Sequence, residues 1–127
     1  MNYSELTFWQ KSRTLAAEVF KIVQTFPEIE QNGLGNQIRT TAVEIPTAIA
    51  TGISLNYKEK TIPKLSEAIA YSHQLESQIL IASDLEYINE EKLDELLEEM
   101  TAIRKMTGGF IRYMNKPKAE KTAKAAG

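Results

Sequence analysis

The sequence predicts an all-α protein, an antiparallel up-down-up-down four-helix bundle. Four segments place apolar residues three or four positions apart, the spacing that aligns side chains on one face of an α-helix. No alternating run is long enough to predict a strand. The connections are short, and short connections favour antiparallel neighbours. We expect the bundle over residues 1–115 and a basic, disordered tail over residues 116–127.

The first predicted helix runs from about Thr7 to Phe26. Proline disfavours the α conformation of the residue before it, so the pair Phe26-Pro27 ends the helix. The apolar side chains follow the spacing of a helix that faces a core. This core stripe consists of Phe8, Leu15, Val19, Ile22 and Phe26.

The second predicted helix covers residues 33–52, GLGNQIRTTAVEIPTAIATG, and carries only two charged residues. Pro46 interrupts it, and a proline inside a helix removes one backbone hydrogen bond. We expect the freed carbonyl of Ala42 to be relieved by water, by a kink, or by the hydroxyl of Thr41 or Thr47. The core seam of this helix consists of Leu34, Ile38, Ile45, Ile49 and Gly52.

The third predicted helix ends near Glu86. Residues 56–59 resemble a capping box at its start, but Pro63 leaves the first residue of the helix open. Its core stripe consists of Leu65, Ile69, Ser72, Leu75, Ile79 and Ala82.

The fourth predicted helix has the clearest start signal. Asn89 is predicted to cap it, and Glu90 and Glu91 suit the positive end of its dipole. The pair Gly108-Gly109 weakens it by roughly 1 kcal/mol per glycine relative to alanine. Its seam consists of Leu93, Leu96, Leu97, Met100, Ile103, Thr107, Phe110 and Met114.

The composition is that of one soluble globular domain. The chain has 127 residues, of which 43% are hydrophobic and 25% charged. The absence of cysteine excludes disulfides and cysteine metal sites, and it fits a reducing cytoplasm. We find no secretory signal and no apolar run of the ~18 residues that a membrane span needs. We therefore expect a cytoplasmic protein that is not bound to a membrane.

Charge is distributed unevenly along the chain. Residues 84–99 hold eight acidic side chains against one basic, whereas residues 100–127 hold seven basic side chains against one acidic. The basic end could bind phosphates of nucleic acid, or it could serve only helix-dipole complementarity and solubility. The candidate nucleic-acid contacts are Arg104, Lys105, Arg112, Lys116, Lys118, Lys121 and Lys124.

The first two helices carry a second apolar seam beside the core stripe. At about 100° per residue, this seam is turned about 100–130° away from the centre of the core stripe. An apolar face that the bundle cannot use indicates a contact surface, although packing of these side chains under loops is the alternative. In an assembly, Arg39 could pair with a carboxylate at the subunit boundary or stay solvated. The predicted oligomer interface consists of Trp9, Arg13, Ala16, Phe20, Arg39, Val43, Pro46, Ala50 and Ile53.

The residues do not indicate catalysis or a cofactor. His73 is the single histidine, and with Glu76 it shares the spacing of a metal-binding pair. Di-iron bundles need two such motifs and further carboxylates, so no metal site is predicted. Ser72 and His73 are adjacent, and adjacent helical side chains do not face one another as a nucleophile and its base must. No small-molecule substrate is evident, and we expect the protein not to be an enzyme.

Several motifs resemble the four-helix-bundle family of 23S rRNA intervening-sequence proteins. That family often carries Trp-Gln-Lys near its start, Phe-Pro after the first helix, and Gly-Leu-x-x-Gln-x-Arg followed by Ile-Pro. The resemblance covers about residues 6 to 114 in order. Here these motifs are Trp9-Gln10-Lys11, Phe26-Pro27, Gly33-Leu34 with Gln37 and Arg39, and Ile45-Pro46.

The resemblance implies a ring-like homopentamer and an association with the ribosome. It also implies kinship with the accessory bundle protein of diversity-generating retroelements, whose basic surface engages nucleic acid and a partner protein. This chain departs from the family pattern at several polar positions, which weakens any inference of shared RNA binding. These departures are Thr40, Ala48, Thr51, Ala70-Tyr71 and Gln74.

The function predicted from the sequence is a homo-oligomeric interaction module that associates with rRNA or ribonucleoprotein. The alternative is a nucleic-acid-binding accessory protein that uses the basic C-terminal end. The expected partners are other copies of the chain and, as a second expectation, rRNA or another nucleic acid.

Overall fold

The computed structural model describes residues 1–117, and helices dominate it. Helix α1 spans Thr7–Val23, α2 spans Leu34–Leu55, α3 spans Lys58–Asp84 and α4 spans Glu90–Met114. Short 3-10 helices at Tyr3–Glu5 and Glu28–Glu30 precede α1 and α2. The described residues contain no strand, so the prediction of an all-α four-helix fold is confirmed. Most of the predicted basic tail, from residue 118 on, lies outside the described residues.

Each helix packs against two others, so that α1 and α3 each contact both α2 and α4. The rings of Phe8, in the first turn of α1, and Phe110, near the end of α4, lie 5.6 Å apart. At the opposite end, the Lys92 ammonium lies 3.4 Å from the Glu18 carboxylate. These two contacts show that α1 and α4 run in opposite directions.

Contacts between α2 and α3 follow the same pattern. The Thr61 hydroxyl, near the start of α3, donates to the Gly52 carbonyl late in α2 at 2.7 Å. The Gln74 amide donates to the Thr41 hydroxyl early in α2 at 3.0 Å.

A Cβ atom on Gly52 would lie 2.8 Å from the Cβ of Lys64. Glycine at position 52 therefore permits the close approach of these helices.

The core is apolar and comes from all four helices. Five hydroxyl-bearing residues are also buried, and each takes part in a hydrogen bond, as buried polar groups must. Within residues 1–117, no helix is both long and apolar enough to cross a lipid bilayer. The fully buried large apolar side chains are Val19, Val23, Ile38, Ile45, Ile49, Leu65, Leu75, Ile79, Leu96, Met100 and Ile103.

The first helix ends earlier than predicted, at Val23 rather than Phe26. The Thr25 N–H donates to the Ile22 carbonyl at 2.9 Å, and the Phe26 N–H donates to the Val23 carbonyl at 3.0 Å. These are bonds to the third residue back, so the chain leaves the α-helix through a tighter turn before Pro27.

One predicted cap is confirmed and the other is wrong. Asn89 caps α4, because its side-chain oxygen accepts the Lys92 N–H at 2.8 Å. The capping box at residues 56–59 does not form. Asn56 instead ends α2 with a left-handed φ of 49°, and Tyr57 occupies the N-cap position of α3 without a side-chain hydrogen bond.

Pro46 lies inside α2, as predicted, but the expected hydroxyl does not relieve the Ala42 carbonyl. The Thr41 hydroxyl donates to the Gln37 carbonyl at 3.0 Å. The Thr47 hydroxyl donates to the Val43 carbonyl at 2.8 Å. Both hydroxyls bond the carbonyl four residues back, so neither reaches the one that Pro46 leaves without a helical donor.

Candidate interaction surface

The second apolar seams of α1 and α2 meet along the groove between these helices. One flank of α1 faces α4, where Glu18 reaches Lys92. The corresponding flank of α2 faces α3, where Thr41 accepts from Gln74. On α1 the residues of the second seam lie on the side of the helix away from α4, and on α2 they lie on the side away from α3, as their positions along each helix require. This surface, the α1–α2 face, consists of Trp9, Ala16, Phe20, Val43, Pro46 and Ala50.

The α1–α2 face is only partly covered by the chain itself. Phe20 is 39% exposed and Val43 is 41% exposed. The other four members are half-buried. A single chain therefore presents large and small apolar side chains from two adjacent helices on one surface.

The N-terminal 3-10 helix closes one end of this face and contacts both α1 and α2. The ring of Tyr3 meets the ring of Trp9 edge-on, with centroids 5.0 Å apart. The guanidinium of Arg13, whose residue is exposed, lies 5.5 Å from the centroid of the Trp9 ring. Trp9 is thus held by an aromatic and a cation–π contact within its own chain.

Arg39 is partly exposed and bonds within the chain. It donates to the side-chain oxygen of Gln31 at 3.1 Å and to the Gln31 carbonyl at 2.7 Å. This internal contact was not among the two expectations for Arg39, and pairing with a carboxylate at a subunit boundary stays a prediction. Sequence reasoning missed the partner because Gln31 lies in the connection before α2, outside the helical pattern.

Ile53 is wrongly assigned to the predicted interface. Its side chain is 3% exposed and belongs to the core of the chain. The position lies between the core seam and the second seam on the helical wheel, so spacing alone does not separate the two.

The basic C-terminal end divides into three groups of residues. Arg104 donates to the Ser72 hydroxyl at 2.8 Å and to the Glu76 carboxylate at 2.9 Å, and its side chain is 16% exposed. Arg104 is therefore an internal tie between α3 and α4, and its assignment as a nucleic-acid contact stays a prediction. Lys105, Arg112 and Lys116 are exposed, and Lys118, Lys121 and Lys124 lie outside the described residues.

Two titratable groups near the start of α4 have raised pKa values. The Tyr87 hydroxyl donates to the Glu30 carboxylate at 2.9 Å, and this hydrogen bond raises the pKa of Tyr87. The hydrogen bond of Lys92 to Glu95, helped by the charge of Glu18, raises the pKa of Lys92. Both arrangements connect the start of α4 to other elements, and neither lies on the α1–α2 face.

Sequence reasoning also missed an open cleft at the end of the bundle. It has a volume of about 740 Å³ and lies between the α2–α3 connection and the last turns of α4. Tyr57, Phe110 and Tyr113 contribute aromatic walls. The signal in the sequence was weak, since the aromatic residues come from segments more than fifty positions apart.

Comparisons with known proteins agree with this fold. A family model described as "23S rRNA-intervening sequence protein" matches residues 4–109. A 1.70 Å crystal structure of a protein of unknown function from the S23 ribosomal protein family, from Bacteroides thetaiotaomicron VPI-5482, is similar with a TM-score of 0.78. The match covers 88% of this chain and 99% of that chain at 18% identity, a likeness of fold. No curated protein matches the sequence.

Proposed function

This chain belongs to the 23S rRNA-intervening sequence protein family, and we propose that it is a non-enzymatic module that assembles with copies of itself through the α1–α2 face. The observation that carries the proposal is the meeting of partly exposed apolar side chains from two adjacent helices. Phe20 and Val43 remain 39% and 41% exposed in the single chain. A neighbouring subunit would remove this surface from water, which is favourable in proportion to the apolar area buried.

The small residues of the face favour close contact. Ala16 and Ala50 are half-buried and leave room for a partner's side chains between the larger Phe20 and Val43. Pro46 adds a rigid apolar ring without a free N–H donor.

A closed ring of five subunits, which the family resemblance implies, needs two different surfaces that meet. The C-terminal part of α3 offers a second exposed apolar surface. There Leu80 is 40%, Ile81 48% and Leu85 48% exposed. We take this α3 patch as the partner of the α1–α2 face.

A pair of matched substitutions tests self-association. Ala50→Glu introduces a charge on the α1–α2 face, whereas Ala17→Glu introduces the same charge on the exposed surface of α1 outside it. Ala50→Glu should shift size-exclusion elution to the monomer position without loss of helical circular dichroism, and Ala17→Glu should not. Equal elution of both variants and the wild type would contradict the proposal.

Mixing two defective variants tests whether two different surfaces meet. Val43→Glu damages the α1–α2 face, and Ile81→Glu damages the α3 patch. If the two surfaces meet, each variant alone is monomeric and their mixture forms a dimer through the two intact surfaces. If Ile81→Glu alone still assembles, the α3 patch is not the partner surface.

Nucleic-acid binding by the basic C-terminal end is the alternative function. The internal bond of Arg104 to Glu76 is an argument against this alternative. The argument for it is that Lys105, Arg112 and Lys116 are exposed. It predicts salt-sensitive RNA binding that is lost when residues 115–127 are deleted and Lys105 and Arg112 are neutralised. Binding that is unchanged in this variant, or absent at low salt, would contradict it.

A further inference from the structure

The cleft at the end of the bundle has the size and lining of a ligand site. Its volume of about 740 Å³ falls within the range of roughly 300–1,000 Å³ that is usual for small-molecule and cofactor sites. Apolar side chains, including Ile53 and Met114, line it together with a few polar ones. The α1–α2 face lies along the flank of the bundle, whereas the cleft lies at its end.

Three aromatic residues of the cleft come from two separate segments. Tyr57 follows the end of α2, and Phe110 and Tyr113 belong to the last turns of α4. Phe110 is fixed, because its ring packs against Phe8 at 5.6 Å and against Tyr113 at 5.9 Å between centroids. Tyr57 and Tyr113 are each 55% exposed. Exposed aromatic side chains that line an open cleft favour an aromatic occupant.

The charges at the cleft favour an anion over a cation. Lys58 and Lys116 line it, against one carboxylate, that of Glu59. The cleft also lies at the positive end of the α3 dipole, where Tyr57 supplies no side-chain cap. An organic cation, the other common guest of aromatic sites, would meet two ammonium groups. The lining therefore suits an aromatic ring that carries a negative group.

We propose that this cleft binds an unpaired nucleobase together with its phosphate, with the base stacked on Tyr57 and the phosphate near Lys58 and Lys116. Stacking platforms beside cationic groups are the usual means of binding single-stranded nucleic acid. The same chemistry is offered by a free nucleotide and by a single-stranded RNA, and the binding experiment separates these two sources.

The test is fluorescence anisotropy of the full chain with short labelled single-stranded RNA at low salt, alongside NMR titration with adenosine monophosphate. Tyr57→Ala should weaken binding about five- to 100-fold, the effect of removing one stacking aromatic. Tyr57→Phe keeps the ring and should bind like the wild type. Lys116→Gln should lower the slope of log affinity against log salt concentration by about 0.7. Lys105 lies outside the cleft, so Lys105→Gln should leave the loss of affinity caused by Tyr57→Ala unchanged.

Each outcome decides the proposal. Binding of adenosine monophosphate alone identifies a nucleotide site, and binding of RNA only identifies a single-strand site. Duplex RNA bound as tightly as single strands overturns the proposal, since paired bases cannot stack in the cleft. Binding that Tyr57→Ala does not weaken, or no binding of either probe, also overturns it. None of these results depends on the oligomeric state, which light scattering measures separately.

Discussion

Arg39 on α2 donates two hydrogen bonds to Gln31, one to its side-chain oxygen at 3.1 Å and one to its carbonyl at 2.7 Å. The Gln31 amide in turn donates to the carbonyls of Val23 at 2.8 Å and Phe26 at 3.2 Å. The Val23 carbonyl belongs to the last residue of α1, and the Phe26 carbonyl belongs to the turn that follows the helix. One glutamine in the connection therefore ties the last turn of α1 to α2.

The first prediction concerns this tie. Arg39→Ala should lower the free energy of unfolding by about 1–3 kcal/mol, because it removes charge-assisted hydrogen bonds and leaves Gln31 without its positioning partner. Urea unfolding followed by circular dichroism measures the change. Lys105→Ala, which removes an exposed charge, is the control and should change stability by less than about 0.5 kcal/mol. Equal effects of the two substitutions would contradict a structural function of Arg39.

The second prediction concerns the tie between α3 and α4. Arg104 bonds both Glu76 and the hydroxyl of Ser72, which is 1% exposed. A double-mutant cycle of Arg104→Ala and Glu76→Ala should give a coupling energy of about 0.5–3 kcal/mol, as residues in one network usually do. Strictly additive effects on the free energy of unfolding would show that the contact contributes nothing.

The third prediction uses two helical glycines as a matched pair. Gly52→Ala should destabilise the protein by about 1–3 kcal/mol, because its Cβ would lie 2.8 Å from the Cβ of Lys64 and 3.2 Å from the Thr61 carbonyl. Gly108→Ala should instead stabilise it by about 0.5–1 kcal/mol, since the nearest atom is the flexible Arg112 Nη1 at 3.5 Å. The midpoints of thermal unfolding should move in opposite directions. A shift of both in the same direction would refute the close approach of α2 and α3.

The fourth prediction concerns pH. The Glu30 carboxylate accepts from the Tyr87 hydroxyl and raises the pKa of Tyr87 above its unfolded value. The stabilisation is therefore fully present below about pH 10, the ordinary pKa of tyrosine, and is lost as the pH rises through the raised pKa.

Urea unfolding of the wild type and of Tyr87→Phe across this range measures the effect. The stability difference between them should be constant at neutral pH and should fall in alkaline solution. Glu30→Gln should remove that dependence. A difference that stays constant in alkaline solution would refute the assigned bond.

Features that depend on local spacing, such as a helix cap, were predictable from the sequence. Hydrogen bonds between side chains of different elements were not. The Asn89 cap was predictable because the capping oxygen and its donor, the Lys92 N–H, lie three residues apart in the sequence. Asn56 was misassigned because asparagine both caps helix starts and tolerates the left-handed conformation that ends helices. The partners of Arg39 and Arg104 lie in other elements, so periodicity could not identify them. Ile53 lies between the core seam and the second seam of α2, so its burial depends on how α2 packs against the other helices and not on spacing alone.

The measurement that tests the proposed function most directly is the mass of the unmodified chain by multi-angle light scattering over a range of micromolar concentrations. Self-association through the α1–α2 face predicts a mass that is a multiple of the 14.3 kDa of one chain. The ring implied by the family resemblance predicts five times that mass. A mass of one chain at every concentration would contradict the proposal, because the exposed Phe20 and Val43 would then have no partner copy to cover them.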